Sequence, residues 1–254
     1  MATDEGVAAV DRALSILDVF TDDEPVLTLA EIARRTGLYK STVLRLARSL
    51  EKFGYLLRSD NGTYQLASKL FHLGSIYQRN FRTASIVPPV LHRIVDELRE
   101  GASFYVRDGE QRICLHRVDG SRSVRDSVHE GMRLPLKVGA AGHTIRAFEG
   151  TPGERYEDIR RAFFAASFGE RDPEVSAVAC PVFGIGGRFV GALAVSGPRY
   201  RIAPENVQPV VRVLLKHARE LTTAFGGDAS AYPAPSRERQ RANPRKRSAR
   251  GATQ

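Results

Sequence analysis

Tryptophan is missing from the 254-residue chain, and cysteine and methionine occur only twice each. Cys114 and Cys180 form no CxxC pair, which leaves no disulfide framework and no thiolate metal cluster; a reduced, cytoplasmic protein without a bound metal or other cofactor is expected. No apolar run approaches the roughly 18 residues that a membrane span needs, and the N-terminal stretch MATDEGVAAVDRALSILDVF is acidic where a signal peptide would be basic. No membrane partner is expected. What is present suits a packed globular protein of one large or two modest domains: 42% hydrophobic and 26% charged residues.

The net charge of +9 is concentrated. Residues 34–69 carry eight basic side chains against Glu51 and Asp60, and residues 228–254 carry seven against Asp228 and Glu238. Two basic patches on an otherwise slightly acidic chain are the electrostatic footprint of a nucleic-acid binder.

The first patch has internal order. Val10, Ala13, Leu14 and Leu17 recur at helical spacing, so 8–20 is expected to form an amphipathic helix. Leu29, Ile32, Ala33 and Thr36 repeat the spacing, Thr28 and Glu31 fit a capping box, and Gly37 provides a stop. A third helix places Val43, Leu46, Ala47 and Leu50 on one face and Ser41, Arg45, Arg48 and Lys52 on the other. Ser41 and Thr42, beside Lys40 and Tyr39, sit at its N-terminus, where backbone N–H groups favour phosphate, and Arg45 is placed to reach a guanine edge. Tyr55–Arg58 and Thr63–Leu66 flank Asp60-Asn61-Gly62, a hairpin signal, and put Arg58 and Asn61 near the tip. Three helices and a hairpin make a winged helix-turn-helix over 1–67 that binds double-stranded DNA.

Residues 68–84 read as a connector helix whose stripe of Leu66, Leu70, Leu73 and Tyr77 suits either dimer contacts or docking on the second domain. That domain, 85–226, is expected to be α+β, with a mostly antiparallel sheet. Its expected helices are 90–101 (ending at Gly101), 139–150, 153–167 and 204–225. Its strand-like runs are 103–109, 112–118, 123–131, 175–183 and 188–197. Residues 227–254 are expected to be a disordered basic tail.

The stretch LTLAEIARRTGLYKSTVLRLARSLEKFGYL resembles the DNA-binding domain of IclR-type bacterial transcription regulators, and GMRLPLKVGAAGHTIRAF and AVACPVFGIGGRFVGALAVSGPRYRI extend the resemblance to about residue 225. Tyr39 stands where that family commonly has proline or another small residue. The resemblance implies a GAF-like sensor domain binding a small carboxylate metabolite, a homodimer or tetramer, and regulation of transcription, more commonly as a repressor. Carried onto this chain, it implies a ligand cradled by N–H groups of Gly139-Ala140-Ala141-Gly142. The pocket wall would include Ser176, Cys180, Ala194 and Ser196, with Met132, Leu134 and Leu136 on its apolar side. The acidic pocket residue of some members has no clear counterpart, although Glu170 and Asp172 are near.

Two other function classes are open: a constitutive nucleic-acid-binding protein using the basic tail, and an enzyme with an appended DNA-binding module. GIGGRFVG departs from the GxGxxG phosphate loop at Phe189 and precedes a strand, and His116, His129 and His143 lack metal-ligand spacing. Cys180 sits in an apolar run without a basic neighbour, which suits a core thiol better than a nucleophile. His129, with Arg125 and Arg133, either helps to hold an anion or lies on a solvated edge. No acid–base pair stands out, so an enzyme is not expected.

Overall fold

A computed structural model describes residues 6–21, 23–80 and 83–233. The chain divides at Ala84/Ser85 into two compact units.

The first unit holds α1 (Ala8–Leu17), α2 (Leu29–Thr36), α3 (Lys40–Lys52) and α4 (Ser68–Asn80), with strands β1 (Val26–Leu27), β2 (Leu56–Arg58) and β3 (Tyr64–Leu66) in the order β1-β3-β2. The capping box forms as the sequence implies: Thr28 caps the Glu31 N–H, and the Glu31 carboxylate accepts from the Thr28 N–H at 2.7 Å. Gly37 ends α2 at φ 71°, a left-handed conformation that favours glycine. Ile16, Leu27, Ile32, Val43, Ala47, Leu56 and Tyr64 close the core. The stripe on α1 differs from expectation. Ile16 is fully buried, while Val10 and Leu14 are about half exposed, because the short helix turns its Ala13–Ile16–Leu17 face inward. The strand β1, only two residues long, has no period to betray it.

The second unit is a six-stranded sheet in the order β6-β5-β4-β9-β8-β7, antiparallel throughout: β4 (Gly101–Asp108), β5 (Gln111–Val118), β6 (Arg133–Pro135), β7 (Ala165–Phe168), β8 (Val175–Phe183) and β9 (Phe189–Pro198). The helices α5 (Val87–Leu98) and α8 (Val207–Ala224) cover one face, packing Leu91, Ile94, Leu214 and Leu221 on Phe104, Val178, Cys180 and Leu193. On the other face α6 (Ala140–Phe148) and α7 (Glu154–Ala162) pack Ile145 and Ile159 over alanines 165, 179, 192 and 194.

The second unit departs from the sequence expectations at four places. The helix before β4 ends at Leu98, with Arg99 left-handed at φ 59°, and Gly101 opens the strand instead. Residues 123–131 form no strand, because Arg201 and Arg117 side chains donate to the Val124 and Asp126 carbonyls that a ladder would use. The helix expected over 153–167 stops at Ala162, where Phe163 turns left-handed, and Ala165–Phe168 pairs with β8. Finally, the start of the expected tail belongs to the domain: Tyr232 is buried and donates to the Pro181 carbonyl at 2.6 Å. The rest of that tail lies outside the described residues.

Candidate nucleic-acid interface and effector cavity

In the first unit the turn Gly37-Leu38-Tyr39 joins α2 to α3, and α3 buries Val43, Ala47 and Leu50. Ser41, Arg45, Arg48 and Lys52 are exposed together on its opposite face, with Lys40 also exposed at its N-terminus and Thr42 half-buried. Tyr39 is the N-cap residue and is 86% exposed, making no capping bond of its own. A large aromatic side chain so exposed at a helix N-terminus adds nothing to the core. The wing turn is built by Asn61, whose Oδ1 accepts from the Thr63 N–H at 3.1 Å, and by Gly62 at φ 83°. Arg58 lies over the Tyr64 ring at 5.6 Å, so the guanidinium is oriented by the hairpin itself.

In the second unit a cavity of about 30 Å³ lies between the sheet and the start of α6. That is room for one water molecule. Of the expected pocket residues, Leu134, Gly139, Ala140, Ala141, Ala194 and Ser196 line it. Met132 and Leu136 pack behind it in the hydrophobic cluster. Gly142 faces away: an added Cβ would come within 2.4 Å of the Leu136 carbonyl oxygen, so close packing is what this glycine serves. Ser176 and Cys180 are displaced by strand parity. In β8, Val175 and Ala177 face the cavity, so Ser176 and Cys180 point to the α5/α8 face. Burial pushes the Cys180 thiol well above its ordinary range, as befits an inert core group.

The start of α6 is occupied differently from expectation. The Gly139 N–H donates to the Glu170 carboxylate at 2.9 Å and the Ala140 N–H to the Ser167 hydroxyl at 3.1 Å. The chain's own carboxylate therefore takes the place where a ligand anion was expected. Glu170 also pairs with Arg155 at 2.7 Å and His143 at 2.6 Å. Although burial alone would raise its pKa, the Gly139 N–H, Arg155 and His143 bonds outweigh that and hold it down to about 2. Burial lowers the His143 pKa against the pull of Glu170, so the neutral ring donates from Nε2 to Glu170, and Nδ1 has no partner.

The side chains that give the cavity its chemistry were not anticipated. Arg112 is 3% exposed, and donates to the Pro135 and Val138 carbonyls. It lies over the Tyr105 ring at 5.5 Å, and its Nε is unpartnered. It has no carboxylate partner among the described residues, and desolvation lowers its pKa. Across the cavity Arg171 pairs with Asp126 at 2.5 Å. Arg117 donates to the Ser196 hydroxyl at 3.2 Å and pairs with Asp119 at 3.1 Å. Part of the signal for Arg112 was present in the sequence: it shares a strand face with the buried Cys114, before a bulge turns His116 to the other face, opposite Phe104. Arg171 and Asp126 sit in irregular segments, where no period shows which way a side chain points. The trio His129, Arg125 and Arg133 does not converge on an anion, since Arg125 pairs with Asp119 and Arg133 with Asp108. A wider groove of about 430 Å³ along α7 and β7 is open and lined by surface charges such as Glu154, Arg155 and Asp158.

Residues 9–60 match the IclR helix-turn-helix domain, and residues 153–223 match the C-terminal domain of the bacterial transcriptional regulator IclR. The HTH-type transcriptional regulator KipR of Bacillus subtilis is 30% identical over 65% of this chain and 66% of its own length. The transcriptional repressor IclR of Escherichia coli is 23% identical over 87% of this chain and 91% of its own. Among solved structures, an IclR homolog from Microbacterium hydrocarbonoxydans complexed with 4-hydroxybenzoate superposes with a TM-score of 0.72 at 22% identity, covering 85% of this chain and 98% of that one. The exposed basic face of α3 and the paired domain matches lead to one conclusion: the chain belongs to the IclR family of bacterial transcriptional regulators and is a DNA-binding regulator of transcription.

Proposed function

We propose that a small carboxylate, entering by displacing the lining of the small cavity beside α6, modulates operator binding by this regulator, and that the protein acts as a repressor. The observation that carries the ligand reading is Arg112, a guanidinium buried at the cavity wall with a free Nε and no ion pair to a carboxylate among the described residues. An unpaired buried cation is costly, and an entering anion relieves that cost. Recognition thus moves from the helix N-terminus, filled by Glu170, to the arginine. The 4-hydroxybenzoate bound to the Microbacterium homolog supports a small acid, and similarity to the E. coli repressor supports repression. On the DNA side, Lys40, Ser41, Thr42, Arg48 and Lys52 contact phosphates, while Arg45 and Tyr39 reach base edges and Arg58 and Asn61 approach from the wing.

Calorimetric titration with 4-hydroxybenzoate and a parallel gel shift on DNA flanking the coding region test the ligand reading. Wild type is expected to bind the acid and release DNA, and Arg112→Met to bind DNA without responding. Because replacing a buried ion by an apolar isostere is often tolerated, Arg112→Met should fold, and Arg112→Lys should retain partial binding. Acid binding undiminished in Arg112→Met would place recognition elsewhere.

A further inference from the structure

Resting on that ligand reading, we infer that the effector is a monocarboxylate carrying a hydrogen-bond donor such as a hydroxyl, and that Asp126 is the residue that selects it. Three ionised side chains line the cavity: Arg112, Arg171 and Asp126. Asp126 is spoken for by Arg171, whose Nη2 donates to Oδ1 at 2.5 Å, and the side chain of Asp126 is 3% exposed. The nearby buried charges are compensated as well: Arg117 by Asp119 at 3.1 Å, a carboxylate it shares with the half-exposed and solvent-screened Arg125, and Glu170 by Arg155 at 2.7 Å together with the Gly139 N–H. One positive charge, that of Arg112, is left over. A monoanion cancels it. A dianion would leave a net negative charge buried beside Asp126, which low local polarity penalises heavily.

Oδ1 of Asp126 is taken by Arg171, and Oδ2 accepts from no other described residue although the carboxylate lines the cavity. An ionised carboxylate offers only acceptors, so the complementary ligand group is a donor. Of the remaining walls, Ala140, Ala177, Ala194, Val128 and Leu134 are apolar, while the Ser167 hydroxyl already accepts from the Ala140 N–H and the Ser196 hydroxyl from Arg117. A ligand with its carboxylate at Arg112 and a hydroxyl toward Asp126 satisfies both ends. A plain acid leaves the Asp126 oxygen dry and unpaired, and sites built to bond a hydroxyl reject analogues that lack it.

Titration calorimetry on the full chain tests this with matched probes: benzoate, 3- and 4-hydroxybenzoate, 4-methoxybenzoate, propionate, lactate, 3-hydroxypropionate and succinate. In wild type at least one hydroxy acid is expected to bind ~10-fold or more tighter than its plain counterpart, the methoxy analogue to lose that gain, and succinate to bind weakly. In Asp126→Asn the hydroxyl preference should shrink severalfold and succinate should gain affinity, because the cavity then carries two uncompensated positive charges. A purely structural Asp126 predicts instead a uniform loss for all acids. Equal affinity of hydroxy, methoxy and plain acids in wild type overturns the inference, as does a hydroxyl preference unchanged in Asp126→Asn. The methoxy comparison uses wild type alone, so it decides even if Asp126→Asn does not fold. Plain and hydroxylated acids that bind equally, with Arg112→Met abolishing both, leave the carboxylate reading standing and remove only the selectivity. No binding by any acid removes both.

Discussion

Two glycines at the start of α6 look alike in sequence and do different work. Gly139 has φ 79°, so any side chain there meets backbone strain before it meets a ligand. Gly142 has ordinary helical geometry, but an added Cβ would lie 2.4 Å from the Leu136 carbonyl oxygen and 2.9 Å from Arg112 Nη1. Neither glycine is therefore a clean probe of the cavity. Ala194 is: it faces the cavity from the middle of β9, where a β-branched residue suits the strand. Ala194→Val is expected to fold and bind operator while losing its response to acid, since its two added methyl groups occupy the empty space of about 30 Å³ that a ligand would enter. Gly142→Ala is expected to lose about 1–3 kcal/mol of stability by overpacking. Urea unfolding with gel shifts separates the two outcomes. A destabilised Ala194→Val, or a Gly142→Ala as stable as wild type, would contradict this assignment.

At the scale of elements, the segment between β7 and β8 is fastened to α6 by one residue. Glu170 receives the Gly139 N–H, His143 and Arg155, and these bonds set its pKa to about 2. The unfolded chain binds that proton more tightly than the folded one. The stabilisation is therefore complete above the unfolded value near 4.5 and is lost as pH falls toward about 2. Partial solvent screening reduces it to about 1–2 kcal/mol. Urea unfolding at a series of pH values should find Glu170→Gln less stable than wild type by that amount at pH 7, with the gap closing between pH 4.5 and 2. A gap that persists at the acid end would mean that the carboxylate charge is not what holds the segment. This fastening was illegible in the sequence for a physical reason. Helical periods revealed α2, α3 and α8, which bury one face of a regular repeat, and apolar or β-branched runs bounded by turn residues revealed β4, β5, β8 and β9. Glu170, Arg171 and Asp126 lie in loops, where direction is set by which cation or N–H group comes near after folding. Parity errors have another origin. Val175 to Val182 is apolar on both sides, so nothing in the run distinguishes the α5/α8 face that takes Ser176 and Cys180 from the cavity face that takes Ala177.

For the molecule as a whole, the DNA-binding unit leaves a set of large apolar side chains in water. On α1, Val7, Val10 and Leu14 are 66%, 52% and 53% exposed at helical spacing, and on α4 Phe71 is 81% exposed, with Leu73 and Ile76 also open. Stripes of this kind are costly in water, and such patches mark interaction surfaces. One recognition helix reaches few base edges, and a second copy is the partner that would double them. Self-association through these helices is therefore expected. Glutamate suits a helix, so Val10→Glu with Leu14→Glu should preserve the fold while making the stripe polar on both chains. Sedimentation velocity is expected to find a dimer or larger assembly for wild type and a smaller species for the double variant. Operator affinity should fall on the order of 100-fold, because the second half-site is no longer tethered to the first. Random-sequence DNA, bound through α3 phosphate contacts that the substitutions leave alone, should lose less. The control is the circular dichroism spectrum, which must match wild type. A double variant that keeps its assembly state and its operator affinity would show that α1 does not form the interface.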